Sequence, residues 1–316
     1  IKIVVKHNIL MNNKQILVSE VGPRDGLQSI DAILPTKIKK QWILALANAG
    51  IQEVEVGSFV PASLIPQLAD TAEIVRYAIT IPNLTVAALV PNLRGAINAI
   101  KSGAHKISIP FSTSEIHSIK NVNKNHKQMF EEIKKISDYI IENNHTTHLE
   151  VALATAFGCS IIGEVPEDLV ISSAEQIMEA GSKEVVLSDT TGYGDPSKVK
   201  KLVRKLKAAV GDNKINSIHL HNTRGLGLAN AFAAIEEGIT TIDSSISGIG
   251  GCPFAPGASG NIVTEDLVFM LDAMGFDTGI DLDKLFSVRD ILSKALPKEP
   301  LYGFTANAGL PLGYKH

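Results

Sequence analysis

His219 and His221 stand two residues apart in the run Ser217-Ile218-His219-Leu220-His221, so on a β-strand both imidazoles project from one face. Such a pair can grip one metal ion or form a hydrogen-bonded couple at a strand end, and spacing alone leaves both readings open. Asp25, in Gly22-Pro23-Arg24-Asp25-Gly26, offers a carboxylate, and Asn261 offers a carbonyl oxygen beyond a glycine-rich stretch. Two nitrogens plus oxygens with no thiolate suit Mg²⁺ or Mn²⁺, or else Zn²⁺, and leave positions open for a chelating substrate. Arg24 either pairs with Asp25 in solvent or, buried in a cavity mouth, stabilises a developing enolate oxygen with Glu55 orienting it. Cys252, in Gly248-Ile249-Gly250-Gly251-Cys252-Pro253-Phe254, reads either as a proton donor on a loop that approaches substrate closely or as a small filler in a tight turn.

These residues become one constellation only if a scaffold converges them. Short β-branched runs alternate with stretches of helical period, which is how repeated βα units appear in sequence. The runs are 16–20, 53–57, 85–90, 106–109, 149–154, 184–188, 217–220 and 241–245, which makes eight units. Glycine recurs at the helix ends, in Ala49-Gly50, Ser102-Gly103, Ala180-Gly181 and Glu237-Gly238, where it supplies a left-handed cap before the next strand. We therefore expect an α/β fold, a TIM (β/α)₈ barrel with extra C-terminal helices. Residues 1–10 read as an N-terminal extension, 11–295 as the catalytic barrel and 296–316 as a Pro/Gly-rich tail. In such a barrel the active site lies at the C-terminal strand ends, where Asp25, Glu55, Asp189 and His221 fall.

The 316 residues suit one barrel of ~250 residues with extensions. A net charge of −3 supplies no basic field for nucleic acid or anionic membrane, and no apolar run reaches the ~20 residues of a membrane span. The expected partners are small molecules and copies of the chain itself. Two cysteines, Cys159 and Cys252, make no disulfide framework, which fits a reducing, cytoplasmic setting, and Cys159 reads as structural. Gly225-Leu226-Gly227-Leu228-Ala229-Asn230 begins like a dinucleotide fingerprint but lacks the third glycine. His105, His117 and His126 have no partner spacing. His145 and His148 fall on the opposite face, and Lys120, Lys124 and Lys127 read as a solvated helix or as phosphate contacts.

Taken in order, Glu20 to Gln28, Glu55 to Phe59, His219-Leu220-His221 and Gly250 to Asn261 closely resemble the 3-hydroxy-3-methylglutaryl-CoA lyase family, from about Val18 to Leu282. The resemblance implies a metal-dependent barrel that cleaves hydroxymethylglutaryl-CoA to acetyl-CoA and acetoacetate. It makes Asp25, His219, His221 and Asn261 metal ligands and Arg24 the stabiliser of the thioester enolate. It makes Glu55 the supporting carboxylate of Arg24, Asp189 a functional strand-end acid and Cys252 the cysteine of proton transfer. It also implies an acyl-CoA substrate and a homodimer.

Three positions depart from the animal members: Asn222 stands for Asp, Arg224 for Tyr and Ser160 for Pro. An altered barrel mouth would admit citramalyl-CoA or another branched hydroxyacyl-CoA. The ending Tyr314-Lys315-His316 replaces a peroxisomal Cys-Lys-Leu, so a cytoplasmic, bacterial-type enzyme is expected. The rivals are a condensing acyltransferase of the isopropylmalate or homocitrate synthase type, against which the Gly-Gly-Cys-Pro loop argues, and a catalytically silent ligand-binding barrel.

Overall fold

The computed structural model describes residues 14–250 and 259–314. The expected extension 1–10 and Cys252 lie outside the described residues.

Eight parallel strands close into a barrel in sequence order. They are β1 (Leu17–Glu20), β2 (Glu53–Ser58), β3 (Thr85–Leu89), β4 (Lys106–Ser112), β5 (His148–Ala154), β6 (Glu184–Asp189), β7 (Ser217–Leu220) and β8 (Thr241–Ser244). Each overlaps its expected run. The strands are hydrophobic on the side that meets the helices, where Val54, Val86, Ile107, Val151, Val185, Ile218 and Ile242 are inaccessible to solvent. Their other face carries small and polar residues, so the barrel interior keeps open space in its upper half.

Around the strands run α1 (Thr36–Asn48), α2 (Thr71–Ala78), α3 (Leu93–Ser102), α4 (Glu115–Val122), α5 (His126–Glu142), α6 (Glu167–Glu179), α7 (Pro196–Val210) and α8 (Gly227–Glu236). The chain adds α9 (Thr264–Ala273), α10 (Leu282–Ala295) and α11 (Phe304–Ala308). Helix α1 turns Trp42, Ile43 and Leu46 inward, all fully buried. Removing the Trp42 side chain would cost about 3–5 kcal/mol. Gly50 then reverses the chain at φ +100°, where a Cβ would lie 2.1 Å from the Gly279 carbonyl oxygen, so no other residue fits without displacing backbone. Helix α5 starts with a reciprocal capping box between Asn125 and Gln128.

The segment read from sequence as a tail includes α11 and is fastened back to the barrel. Asp266 accepts the Phe304 and Thr305 amides, and Ser247 O accepts the Tyr302 amide.

Candidate active site

The chain leaves β1 through a single π-helical turn, Gly22–Gly26, which sets Arg24 and Asp25 on the rim of the barrel. Glu20 anchors this turn from below. Its carboxylate accepts the amides of Gly22 and Ile246 and the Thr264 hydroxyl, tying the exit of β1 to that of β8. Side-chain register does the rest. Ser188, His219, Asp243 and Ser19 are register neighbours across β6, β7, β8 and β1, so their side chains share one face of the sheet. Past the end of β7, His221 bridges to Asn261 in an antiparallel pairing, and this returns the chain beyond the glycine-rich loop to the histidine pair.

Asp25, His219 and His221 each present a ligand atom, and the three atoms lie within 4.8 Å of one another. The two Nε2 atoms are 3.1 Å apart, and Asp25 Oδ2 is 4.0 Å from each. Asn261 Nδ2 donates to Asp25 Oδ2 at 2.7 Å. Arg24 spans two carboxylates, with Nη1 on Asp25 Oδ1 and Nε on Glu55 Oε2, both at 2.5 Å. Asp243, which the sequence reading missed, stands behind His219 with Oδ2 3.0 Å from Nδ1 and so turns Nε2 toward the centre.

The electrostatics suit a cation. Burial, then the neighbouring His219, hold the His221 imidazole down at about 4, so it is a neutral ring with a lone pair. Burial disfavours charge on His219 as well, but the hydrogen bond and charge of Asp243 outweigh it and raise its pKa. Burial likewise works against the Asp25 carboxylate, yet Arg24 and the two imidazoles hold it well below the usual carboxylate range. The residues also pass a test of fit. His221 Nδ1 and Asn261 Oδ1 are buried without a hydrogen-bond partner, and turning the Asn261 amide over would aim its oxygen at Asp25 and the centre. Adjacent ligands of an octahedral ion with ~2.1 Å bonds sit about 3.0 Å apart, close to the separation of the two Nε2 atoms.

A cavity of about 810 Å³ opens above and beside this cluster. Arg24, Asp25, Glu55, His219, His221 and Asp243 line it. The far wall carries His117, which had no partner spacing in the sequence, and Lys120 and Lys124, which were read there as a solvated helix or as phosphate contacts. His117 Nδ1 is 2.8 Å from Ser112 Oγ, and Lys124 pairs with Glu132 at 2.9 Å.

Asp189 is buried at the end of β6, but its carboxylate accepts the Tyr193 and Gly194 amides and is not part of the cavity lining. Asn222 and Arg224, expected to alter the mouth, do not line the cavity themselves. Asn222 accepts the Gly227 amide and donates to Ser259 Oγ. Arg224 donates to the Thr191 and Gly192 carbonyls and stacks on Tyr193 at 4.6 Å. Both fasten one rim loop to another.

The fold is that of a TIM-barrel enzyme, and at its C-terminal mouth a carboxylate, two imidazoles and a clamped guanidinium come together. The family model described as HMGL-like matches residues 15–292, and the chain belongs to this family of metal-dependent lyases. It is 38% identical over 298 residues to hydroxymethylglutaryl-CoA lyase of Bacillus subtilis, with 93% of this chain and 99% of that one covered. It is 36% identical to the cytoplasmic 3-hydroxy-3-methylglutaryl-CoA lyase of Rattus norvegicus, covering 90% and 82%.

Among solved structures, the HMG-CoA lyase of Bacillus subtilis superposes with a TM-score of 0.89 at 36% identity, covering 95% of this chain and 99% of that one. An HMG-CoA lyase from Acinetobacter baumannii, in complex with coenzyme A and 3-methylmalate, gives 0.88 at 36% identity, covering 96% and 97%. The carboxyl transferase domain of Rhizobium etli pyruvate carboxylase shares the fold alone, at 19% identity.

Proposed function

We propose that this chain cleaves 3-hydroxy-3-methylglutaryl-CoA to acetyl-CoA and acetoacetate. The observation that carries the reading is the meeting of Asp25, His219 and His221 beside the Arg24 guanidinium, at the C-terminal mouth of a cavity large enough for an acyl chain. Family membership and the relatives' names support the substrate.

Asp25, His219, His221 and Asn261 would hold the divalent ion, Mg²⁺ or Mn²⁺ on this donor set. When bound, the ion supplies Lewis acidity that lowers the cost of ionising the substrate's tertiary hydroxyl. Arg24 stabilises the thioester oxygen as the C–C bond breaks and charge moves onto the departing acetyl-CoA enolate. Asp25 and Glu55 hold both sides of its guanidinium, so that donor is fixed before substrate arrives. Asp189 positions the loop after β6 through two backbone amides. Cys252 is assigned the proton that restores the acetyl methyl group, on the resemblance of its loop.

A homodimer and a cytoplasmic setting belong to the same proposal. The relatives include cytoplasmic and mitochondrial enzymes, and among the described residues no helix is long and apolar enough to cross a membrane.

The test gives Mg²⁺-loaded protein hydroxymethylglutaryl-CoA and, in parallel, citramalyl-CoA. Cleavage of the former in preference supports the reading. Cleavage of citramalyl-CoA alone moves the substrate, and 2-oxoacid-dependent release of free CoA with no cleavage would make the chain a condensing enzyme.

A further inference from the structure

The lower half of the barrel interior holds a second group of ionisable residues. On β5, His148 and Glu150 alternate and so face the same way, and Glu184 on β6 is the register neighbour of Glu150. Lys106 on β4 is the neighbour of His148.

Three carboxylates meet here, Glu53 at 5% exposure, Glu150 at 9% and Glu184 at 8%, against the single ammonium of Lys106. Lys106 Nζ donates to Glu53 Oε1 at 2.8 Å. It lies 3.3 Å from Glu150 Oε2 without forming a hydrogen bond to it. Glu184 uses Oε1 to accept the Ser217 hydroxyl and the Asn216 amide, leaving Oε2 turned toward His148 Nε2, 3.7 Å away. Two buried atoms therefore face this space with no hydrogen-bond partner, His148 Nε2 and Glu150 Oε2. Buried polar atoms and excess buried charge are costly, and native interiors answer them with a proton, a water or an ion.

We propose that His148, Glu150 and Glu184 form a second divalent-cation site, of the zinc class, at the N-terminal end of the barrel interior, below the cavity whose mouth holds Asp25, His219 and His221 and which Glu150 also lines. Their ligand atoms lie within 4.8 Å of one another. The edge of a tetrahedral site with bonds of ~2.1 Å is about 3.4 Å, so small side-chain shifts close the shell around an ion. One imidazole and two carboxylates match zinc's preferences. A hollow of about 580 Å³ on the N-terminal face reaches His148 and gives the ion a route in. Lys183 and Lys214 line that hollow, so the three ligands, not electrostatic steering, supply the affinity. An ion here pins β5 to β6 from below and makes the site structural.

The experiment strips the purified chain with EDTA, reloads it with Zn²⁺, removes unbound ion and measures metal per chain by mass spectrometry. The wild type should carry about two ions, His148→Ala and His221→Ala about one each, and the double variant about none. Glu150→Gln, nearly isosteric, should match His148→Ala, and circular dichroism in EDTA checks that each variant is folded. Loss of the ion should also lower the thermal midpoint of His221→Ala protein, whose only remaining ion is this one. One ion in the wild type, kept by His148→Ala and lost in His221→Ala, would overturn the second site and leave the upper centre standing. One ion kept by His221→Ala and lost in His148→Ala would support this site and count against the upper centre.

Discussion

Asp243 Oδ2 sits 3.0 Å from His219 Nδ1, and the opposite nitrogen of that ring faces His221 and Asp25. The carboxylate fixes the ring's rotation and draws the proton to Nδ1, which leaves Nε2 free as a donor atom to a cation. Asp243→Asn keeps the shape but weakens this pull. It should reduce metal affinity by ~10–100-fold with the fold intact, as measured by calorimetric titration of the stripped enzyme. Unchanged affinity would remove Asp243 from the site.

Loss of a direct ligand is a larger change than loss of its support. His221→Ala should weaken metal binding by more than ~100-fold, whereas Cys252→Ala should leave binding intact and reduce turnover. Equal metal affinity in the two variants would dissolve that division of roles.

Arg24 holds Asp25 and Glu55 with different nitrogens of one planar fork. An ammonium is a single point and cannot take up both bonds in that geometry. Arg24→Lys should therefore keep the positive charge yet lose ~10²–10³-fold in kcat, with a smaller change in KM. A variant with wild-type kcat would place Arg24 outside the chemistry.

His117, on the far wall of the cavity, has its pKa lowered because burial disfavours the charged ring. The sign follows from linkage. The unfolded chain takes up this proton more readily than the folded one, so the contribution of His117 to stability is complete above the ordinary histidine value of about 6.5 and is lost as the pH falls. An NMR titration should find the ring neutral at pH 7 with a midpoint below ~6.5, and His117→Gln should flatten the stability profile on the acid side of neutrality. A midpoint above the ordinary value would show that the cavity favours the cation.

Much of this was readable in the chain. Short β-branched runs set between helical stretches placed all eight strands, because each strand buries one apolar face against helices. The His-x-His pair and the Arg-Asp pair were visible because strand geometry and a tight turn convert local spacing into shared direction. Asp243 was not, since a lone acid in Thr-Ile-Asp-Ser gains meaning only when β8 is laid beside β7. His117 was set aside for want of a partner in sequence, and its partner, Ser112, comes from the end of β4. His148 was placed on the opposite face of the barrel, and it lies there with its side chain 39% exposed. It is the first residue of β5, and only the register with β6 brings Glu184 to it. Single charged residues inside apolar strands, as at Lys106, Glu150 and Asp243, are the signal that would have flagged these interior networks.

The central claim, that Asp25, His219 and His221 assemble a metal centre for carbon–carbon cleavage, is tested most directly by one titration of activity. EDTA-stripped enzyme is given hydroxymethylglutaryl-CoA and increasing Mg²⁺ or Mn²⁺, with acetyl-CoA and acetoacetate both followed. The account predicts no cleavage before addition, restoration on addition with the two products formed in equal amounts, and no restoration at the same metal concentrations in His221→Ala. Full cleavage by the stripped enzyme, or full restoration in His221→Ala, would contradict it.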